Sequence, residues 1–147
     1  MKLKRGHNNG GAPAITIDCK NTSGGALARG DVVVFDRTNS VHGLICVTTT
    51  TSGNDIDVVG MVYNAVLGQD LVGPIQIWGP TKYLKADGNT DIAVGDMLGT
   101  FTTAKIAAKS TTGGRFARAL EGYTTNDAAG VIDAFITNIN LGALSTE

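Results

Sequence analysis

Short runs of apolar and β-branched residues alternate with clusters of turn-forming residues along most of this chain. From Ala14 onward the clearest runs predict strands at AITIDC, DVVVFD, GLICV, DVVGMVY, PIQIW, KYLKA, MLGTF and GVIDAFI. The segments between them are rich in Gly, Asn, Asp, Ser and Thr, which favour turns. Strands at this spacing are typical of an antiparallel barrel or sandwich. The stretch RFARALEG is compatible with a short helix or a strand, and we predict a strand there.

One predicted strand, VGPIQIWGPTKYL, has a Gly-Pro pair at each end of its apolar part. Side chains alternate along a strand, so Ile75 and Ile77 point to one face while Gln76 and Trp78 point to the other. Both faces therefore carry large side chains. Two interpretations stay open: Gln76 and Trp78 contact another copy of the chain, or a second layer of the same chain covers them.

The order of elements repeats weakly. ALARGDVVVFD, around Gly30, is echoed by DIAVGDMLGTF, around Gly95, and each is a Gly-Asp turn followed by an apolar run. A strand, a loop and a second strand follow each of them. We interpret the two halves as copies of one β unit that close together into a single barrel, with chance similarity between Gly-rich hairpins as the alternative.

Residues 1–13 differ from the rest of the chain. They contain three basic residues and a run of His, Asn and Gly, with few apolar side chains to bury. We therefore predict two parts, a flexible N-terminal arm over 1–13 and a β-rich body over 14–147.

Composition narrows the class of protein. The chain has 147 residues, enough for one domain with a sizeable core. A net charge of −1 argues against general nucleic-acid binding, for which a basic chain is usual. Charged residues make up only 17% of the chain, against about 25% in typical domains, so part of the surface is either uncharged polar or covered. The start lacks the apolar core of a signal peptide, and no apolar run reaches membrane-spanning length, so we expect folding in a cytoplasm and no membrane partner.

The sequence contains few candidate residues for catalysis or metal binding. Asp87, Asn89 and Asp91 alternate as in calcium loops, but Ile92 and Leu98 occupy the positions where Gly and a bidentate Glu belong. We expect an ordinary hairpin loop there, without a metal. His7 and His42 have no acidic or cysteine neighbours at ligand spacing. Phosphate-binding and nucleophile motifs are absent from the sequence. The two cysteines, Cys19 and Cys46, do not form a metal or disulfide pattern, and free thiols are expected.

The stretch AGVIDAFITN resembles the G-x-I-D motif of trimeric dUTPases. Asp133 matches the aspartate that helps to activate water in that family, but Ile136 stands where a tyrosine belongs. The phosphate-binding motif and the Gly-rich C-terminal arm of that family are also missing. We therefore expect no enzymatic activity and no cofactor, and keep a degenerate dUTPase-like trimer as an alternative.

The remaining pattern resembles the head-decoration (cement) proteins of tailed bacteriophages. Five segments, within roughly Ala14 to Asn138, carry the resemblance: NTSGGALARGDVVVFD, VVGMVYNAVL, IQIWGPTKYLKADGNTDIAVGDMLGTFTTAKIAAKS, FARALEGYTT and GVIDAFI. The resemblance implies a small β-rich body of the kind called a β-tulip and assembly as a homotrimer. It also implies docking on the outer surface of the expanded capsid, with the major capsid protein as partner, and an arm that becomes ordered there.

These implications give the expected sites. The arm residues expected to bind the capsid are Lys2, Leu3, Lys4, Arg5 and His7, although the resemblance matches no individual arm residue. Gln76 and Trp78 are the expected trimer contacts. The protein is expected on the outer surface of the virion, after synthesis in the cytoplasm of a host bacterium. A carbohydrate-binding sandwich or fibre module is a further alternative, although aromatic residues make up only 5% of the chain.

Overall fold

The computed structural model describes residues 3–7, 13–39, 41–125 and 130–138, and for residues 3–7 it describes the backbone alone. Every regular element in these ranges is a β-strand, which confirms the predicted all-β class. The strands are β1 (Leu3–His7), β2 (Pro13–Asn21), β3 (Leu27–Ala28), β4 (Val32–Phe35), β5 (Ile45–Thr48), β6 (Val58–Val62), β7 (Val66–Leu67), β8 (Val72–Ala86), β9 (Met97–Thr100), β10 (Ala107–Lys109), β11 (Arg115–Ala119) and β12 (Gly130–Thr137). Within the described part of the chain, no helix is long and apolar enough to cross a membrane.

The strands form two closed rings that share β8. In ring 1 the order is β2, β5, β4, β6 and β8, and β8 pairs back to β2. In ring 2 the order is β8, β10, β9, β11 and β12, and β12 pairs back to β8. Each ring contains one parallel pair, β2 with β5 or β8 with β10, and the other pairs are antiparallel. The predicted barrel is therefore confirmed, with a mixed sheet where a wholly antiparallel one was expected.

Strand β8 joins two strands that the sequence predicts separately. PIQIW and KYLKA are its two halves, and the strand runs on through Gly79 and Pro80. Its first half pairs with β2 and β6 in ring 1, and its second half pairs with β12 in ring 2. The second Gly-Pro pair therefore marks the place where β8 passes from one ring to the other, and it does not end the strand. The stretch RFARALEG contains β11, as predicted.

Two hydrophobic clusters fill the fold. Val33 and Val59 point into ring 1, where they pack with side chains such as Ile75. Their neighbours Val32 and Val58 point outward and pack with side chains of ring 2. Strands β4 and β6 are apolar on both faces because both faces are buried, one inside their own ring and one against the other ring.

The two rings have the same arrangement of strands, as the predicted repeat requires. Strands β4 and β6 pair as β9 and β11 do, and both pairs have an irregularity in register, between Val33 and Val34 in ring 1 and between Arg115 and Ala117 in ring 2. Strand β6 then pairs with β8 as β11 pairs with β12. The two units close two rings with one shared strand, whereas the sequence predicts that they close a single barrel.

The Gly-Asp turns that suggested the repeat also match in detail. In ring 1 the Asp31 carboxylate accepts a hydrogen bond from the Ala28 backbone N–H, at 2.8 Å. In ring 2 the Asp96 carboxylate accepts one from the Ala93 N–H, also at 2.8 Å. In each turn the aspartate caps the chain just before a strand begins, which explains why Asp recurs at this position.

The predicted arm overlaps one strand. Leu3–His7 forms β1, which pairs antiparallel with the first half of β2. Strand β2 itself begins at Pro13, the last residue of the predicted arm. The remaining arm residues lie outside the described residues, and arm flexibility in the free protein stays a prediction.

The matched turns provide a test of the packing between the rings. Gly30 and Gly95 have nearly equal positive φ angles, 89° and 91°. A Cβ on Gly30 would overlap the Tyr83 carbonyl oxygen of β8, whereas one on Gly95 would meet nothing within 4 Å. Both G30A and G95A place alanine in the left-handed region, which costs roughly 1–2 kcal/mol. We expect G30A to lose about 1–3 kcal/mol more, because the rings must move apart to admit the methyl group.

Urea unfolding of the two variants measures this difference. Equal losses of stability in G30A and G95A would contradict the close packing of the first turn against β8.

Candidate docking surface

Four neighbouring strands, β1, β2, β8 and β12, bring the predicted arm strand close to Trp78. Arg5 of β1 lies opposite Ile15 of β2, and Ile15 lies opposite Trp78 of β8. On its other side Trp78 lies opposite Thr137 of β12. The sheet therefore places two predicted sites in one row of residues. Lys2 lies outside the described residues, and only a backbone position is defined for Leu3, Lys4, Arg5 and His7.

Gln76 is wholly enclosed by its own chain. It has no exposed surface, and its side-chain amide nitrogen donates to the backbone oxygens of Gly79 at 2.9 Å and Pro80 at 3.1 Å. A side chain in this position cannot touch a second copy of the folded chain. Of the two predicted trimer contacts, only Trp78 can therefore touch a second copy directly, and the trimer contact itself stays a prediction.

Trp78 is half open. The residue is 43% exposed, and its ring meets the ring of Phe135 edge to face, with centroids 4.9 Å apart and planes at 86°. This geometry is favourable for an aromatic pair and holds the indole in a defined orientation. Of the two β8 residues that the sequence places on one face, Gln76 is thus buried within its own chain and Trp78 is partly exposed.

Further apolar side chains lie outside ring 2 beside this aromatic pair. In β12, Val131 and Phe135 alternate with the buried residues Ile132, Ala134 and Ile136. Leu120 follows β11, and its N–H donates to the Asp133 carbonyl oxygen, at 2.9 Å, so it lies across from β12. Leu120 and Val131 are both exposed. We call Trp78, Leu120, Val131 and Phe135 the outer face of ring 2.

Of the residues of this outer face, only Trp78 was predicted from the sequence to form a contact. The alternation in GVIDAFI places Val131, Asp133 and Phe135 on one side of β12, and that signal was available. It could not show that this side faces outward, because the apolar residues occur on both sides.

The charges beside the outer face have both signs. Arg118 donates from its guanidinium to the Gly95 carbonyl oxygen at 2.9 Å, and the Glu121 carboxylate accepts from the Asp133 N–H at 2.7 Å. All of these charged side chains are partly or fully exposed. A mixed, balanced set of charges favours a neutral protein surface as partner over a strongly charged polymer.

Candidate catalytic or metal-binding groups do not come together in the described part of the chain. Those residues contain no group of three His, Cys, Asp or Glu side chains that could hold a metal ion. Asp87 is buried and accepts hydrogen bonds from Asn89, whereas Asp91 is exposed. The calcium-like stretch lies in the loop between β8 and β9, and because β10 separates these two strands in the sheet, the predicted hairpin is wrong. Cys19 and Cys46 are free and buried, and burial raises the pKa of Cys19 to about 12.

Asp36 lies in the loop after β4, and its carboxylate accepts several hydrogen bonds. Partial burial alone would raise its pKa, but hydrogen bonds from the side chains of Thr22, Asn39 and Thr38 and from the Thr38 N–H lower it well below the ordinary value of 3.8. The Thr22 hydroxyl donates at 2.5 Å and the Asn39 amide at 2.6 Å. These bonds tie the loop to the end of β2, because Thr22 directly follows that strand.

This geometry predicts a pH dependence of stability. The folded-state pKa of Asp36 is lowered, so its contribution to the free energy of unfolding is present above the unfolded pKa of about 3.9 and is lost as the pH falls through the folded pKa. We expect D36N to be less stable than the wild type at pH 7, with a difference that shrinks below about pH 4. Thermal melts between pH 7 and pH 2 measure this, with D91N at an exposed site as the control. A constant difference would contradict the role of ionised Asp36.

Comparison with known proteins gives one informative result. No protein-family model matches the chain, and no curated protein sequence matches it. Its fold is similar to a solved structure described as the crystal structure of the N base of head fiber gp8.5 in bacteriophage phi29. The TM-score is 0.53 and the sequence identity is 13%, over 84% of this chain and 93% of the chain in that structure. At this identity the likeness shows a shared fold.

Proposed function

We propose that this chain is a structural protein of a tailed-phage head, which binds the outer surface of the expanded capsid as a homotrimer and stabilises it. The observation that carries the proposal is the fold shared with a phage head fiber base over nearly the whole of that chain. The resemblance of the sequence to decoration proteins supports it independently. On this proposal the protein has no enzymatic activity and needs no cofactor or metal.

The N-terminal strand supplies the means of attachment to the capsid. Strand β1 is the last strand of its sheet, so one of its edges has no strand partner among the described residues. Such an edge can accept a further strand from another protein by backbone hydrogen bonding. Three arms on one trimer act together, because binding of the first raises the effective concentration of the others. The basic residues Lys2, Lys4 and Arg5 then add attraction to an acidic capsid surface.

A second candidate function is the base of a head fibre, and the description of the phi29 protein favours it. Both candidates attach to a capsid, but a fibre base also carries a further protein outward. Electron cryo-microscopy of capsids incubated with this chain alone and with phage lysate distinguishes them, since only a fibre base recruits an additional projection at the same positions.

Removal of the arm is expected to abolish most capsid binding. Because β2 begins at Pro13, a deletion of residues 1–12 removes β1 and keeps every strand of both rings. We expect this variant to fold and to bind expanded, undecorated capsids at least about tenfold more weakly, since losses in three arms multiply. Occupancy is measured by co-sedimentation with capsids, and circular dichroism checks the fold.

The charge contribution is measured separately. The variant K2E/K4E/R5E is expected to bind better than the deletion variant, with a deficit that is largest at low salt, where charges are least screened. Full occupancy by the deletion variant would instead mean that the two rings perform the docking without the arm.

The trimer is tested without a capsid. Analytical ultracentrifugation at micromolar concentration is expected to show one species of about three times the 15.1 kDa chain mass. A monomer at all concentrations would remove the trimer from the proposal while leaving capsid binding to be measured on its own.

A further inference from the structure

The duplication allows the two rings to be compared surface by surface. The outward positions of the β6–β8 pair in ring 1 are occupied by Met61 and Gln76, which lie opposite each other. The equivalent positions of the β11–β12 pair in ring 2 are occupied by Arg118 and Phe135, which also lie opposite each other. These pairs of positions define the same face on the two copies of one unit.

In ring 1 this face is closed. Met61 and Gln76 are buried, and Met61 belongs to the hydrophobic cluster that contains the core of ring 2. The neighbouring turn also packs against ring 2, because the Lys85 N–H donates to the Gly30 carbonyl oxygen at 3.2 Å and Lys85 forms an ion pair with Asp31. Ring 2 of the same chain therefore covers this face of ring 1.

In ring 2 the same face is open. Trp78, Leu120 and Val131 are exposed there, and in the equivalent Gly-Asp turn Val94 is 70% exposed beside the uncovered Gly95. The Gly95 N–H donates to the Ala119 carbonyl oxygen, at 2.8 Å, so this turn lies next to Leu120. Apolar residues thus remain uncovered at the surface whose counterpart is buried in ring 1.

We propose that the outer face of ring 2, with Val94 at its margin, binds a second copy of this chain. The inference rests on the homotrimer of the proposed function and names the surface that forms it. A second copy is the occupant because a barrel of this chain covers the equivalent face of ring 1. The mixed charges of Arg118, Asp133 and Glu121 suit a partner of small net charge, and this chain has a net charge of −1.

The contact has a defined symmetry. In a closed ring of three chains each subunit uses two different surfaces, so the outer face of ring 2 meets a different surface of its neighbour. This arrangement is also the one seen between the two rings, where the outward face of ring 1 meets a different part of ring 2.

The repeat supplies a matched pair of variants for the test. Val131 lies near the start of β12, opposite a residue of β8, and Val72 lies at the start of β8, opposite a residue of β2. The repeat makes these two positions equivalent, and both residues are 52% exposed. V131E puts a charge on the outer face of ring 2, and V72E puts the same charge at the corresponding position of ring 1. We expect V131E to raise the dissociation constant of self-association at least about tenfold, and V72E to leave it within about twofold of the wild type.

The single tryptophan of the chain gives a direct second readout, since Trp78 lies on the proposed contact. On assembly its emission is expected to shift to shorter wavelength and its quenching by acrylamide to decrease. Dilution of the wild type should reverse both changes, and V131E should show the spectrum of the diluted protein at concentrations at which the wild type is assembled. Leu120 offers a second site, so L120E is expected to act as V131E does. Thermal melts confirm that all three variants fold.

The possible outcomes separate the surface from the function. Self-association of V131E and L120E with wild-type affinity, or loss of association in V72E alone, would overturn the assignment of this surface. A monomeric wild type would overturn the trimer and this inference together, whereas capsid occupancy tests the proposed function independently. Normal trimers of V131E that fail to bind capsids would show that the outer face meets the capsid and would also overturn the inference.

Discussion

The pairing of β8 with strands of both rings is the constraint on which the rest of the structure depends. Each half of this strand completes one five-stranded ring, so neither ring closes without it. The rings are consequently held at a fixed distance, and the outward sides of β4 and β6 are brought against ring 2. The burial of Met61 and Gln76 follows from this arrangement, as does the close approach of Gly30 to Tyr83.

Much of the fold could be predicted from the sequence because local patterns specify it. Strands such as β4, β6 and β12 follow from β-branched runs bounded by turn residues. The duplication was also visible, since the Gly-Asp turn needs both the freedom of glycine and an aspartate that caps the chain. The sharing of β8 was not predictable, because Gly79 and Pro80 look like a strand end whether the chain turns there or changes partners.

The candidate site was only partly predictable for a related reason. Apolar residues on both faces of a strand do not show which face is covered, or by what: both faces of β6 are buried, whereas Val131 on β12 is exposed. For β6 the cover is the other ring of the same chain, so this strand does not itself call for a partner molecule. Gln76 and Trp78 look equivalent in sequence, yet the ring junction encloses the first and leaves the second partly open. Only the three-dimensional arrangement separates them.

A further consequence of the shared strand concerns motion. Multi-domain proteins usually bend at linkers, where few contacts cross between the parts. Here the link between the rings is the hydrogen-bonded strand β8, which continues through Gly79 at a φ of 108° and has packed side chains on both sides. A force applied to one ring is carried along the β8 backbone into the other. Bending at the junction of the two rings would therefore have to break strand pairing of β8 with β2 or with β12.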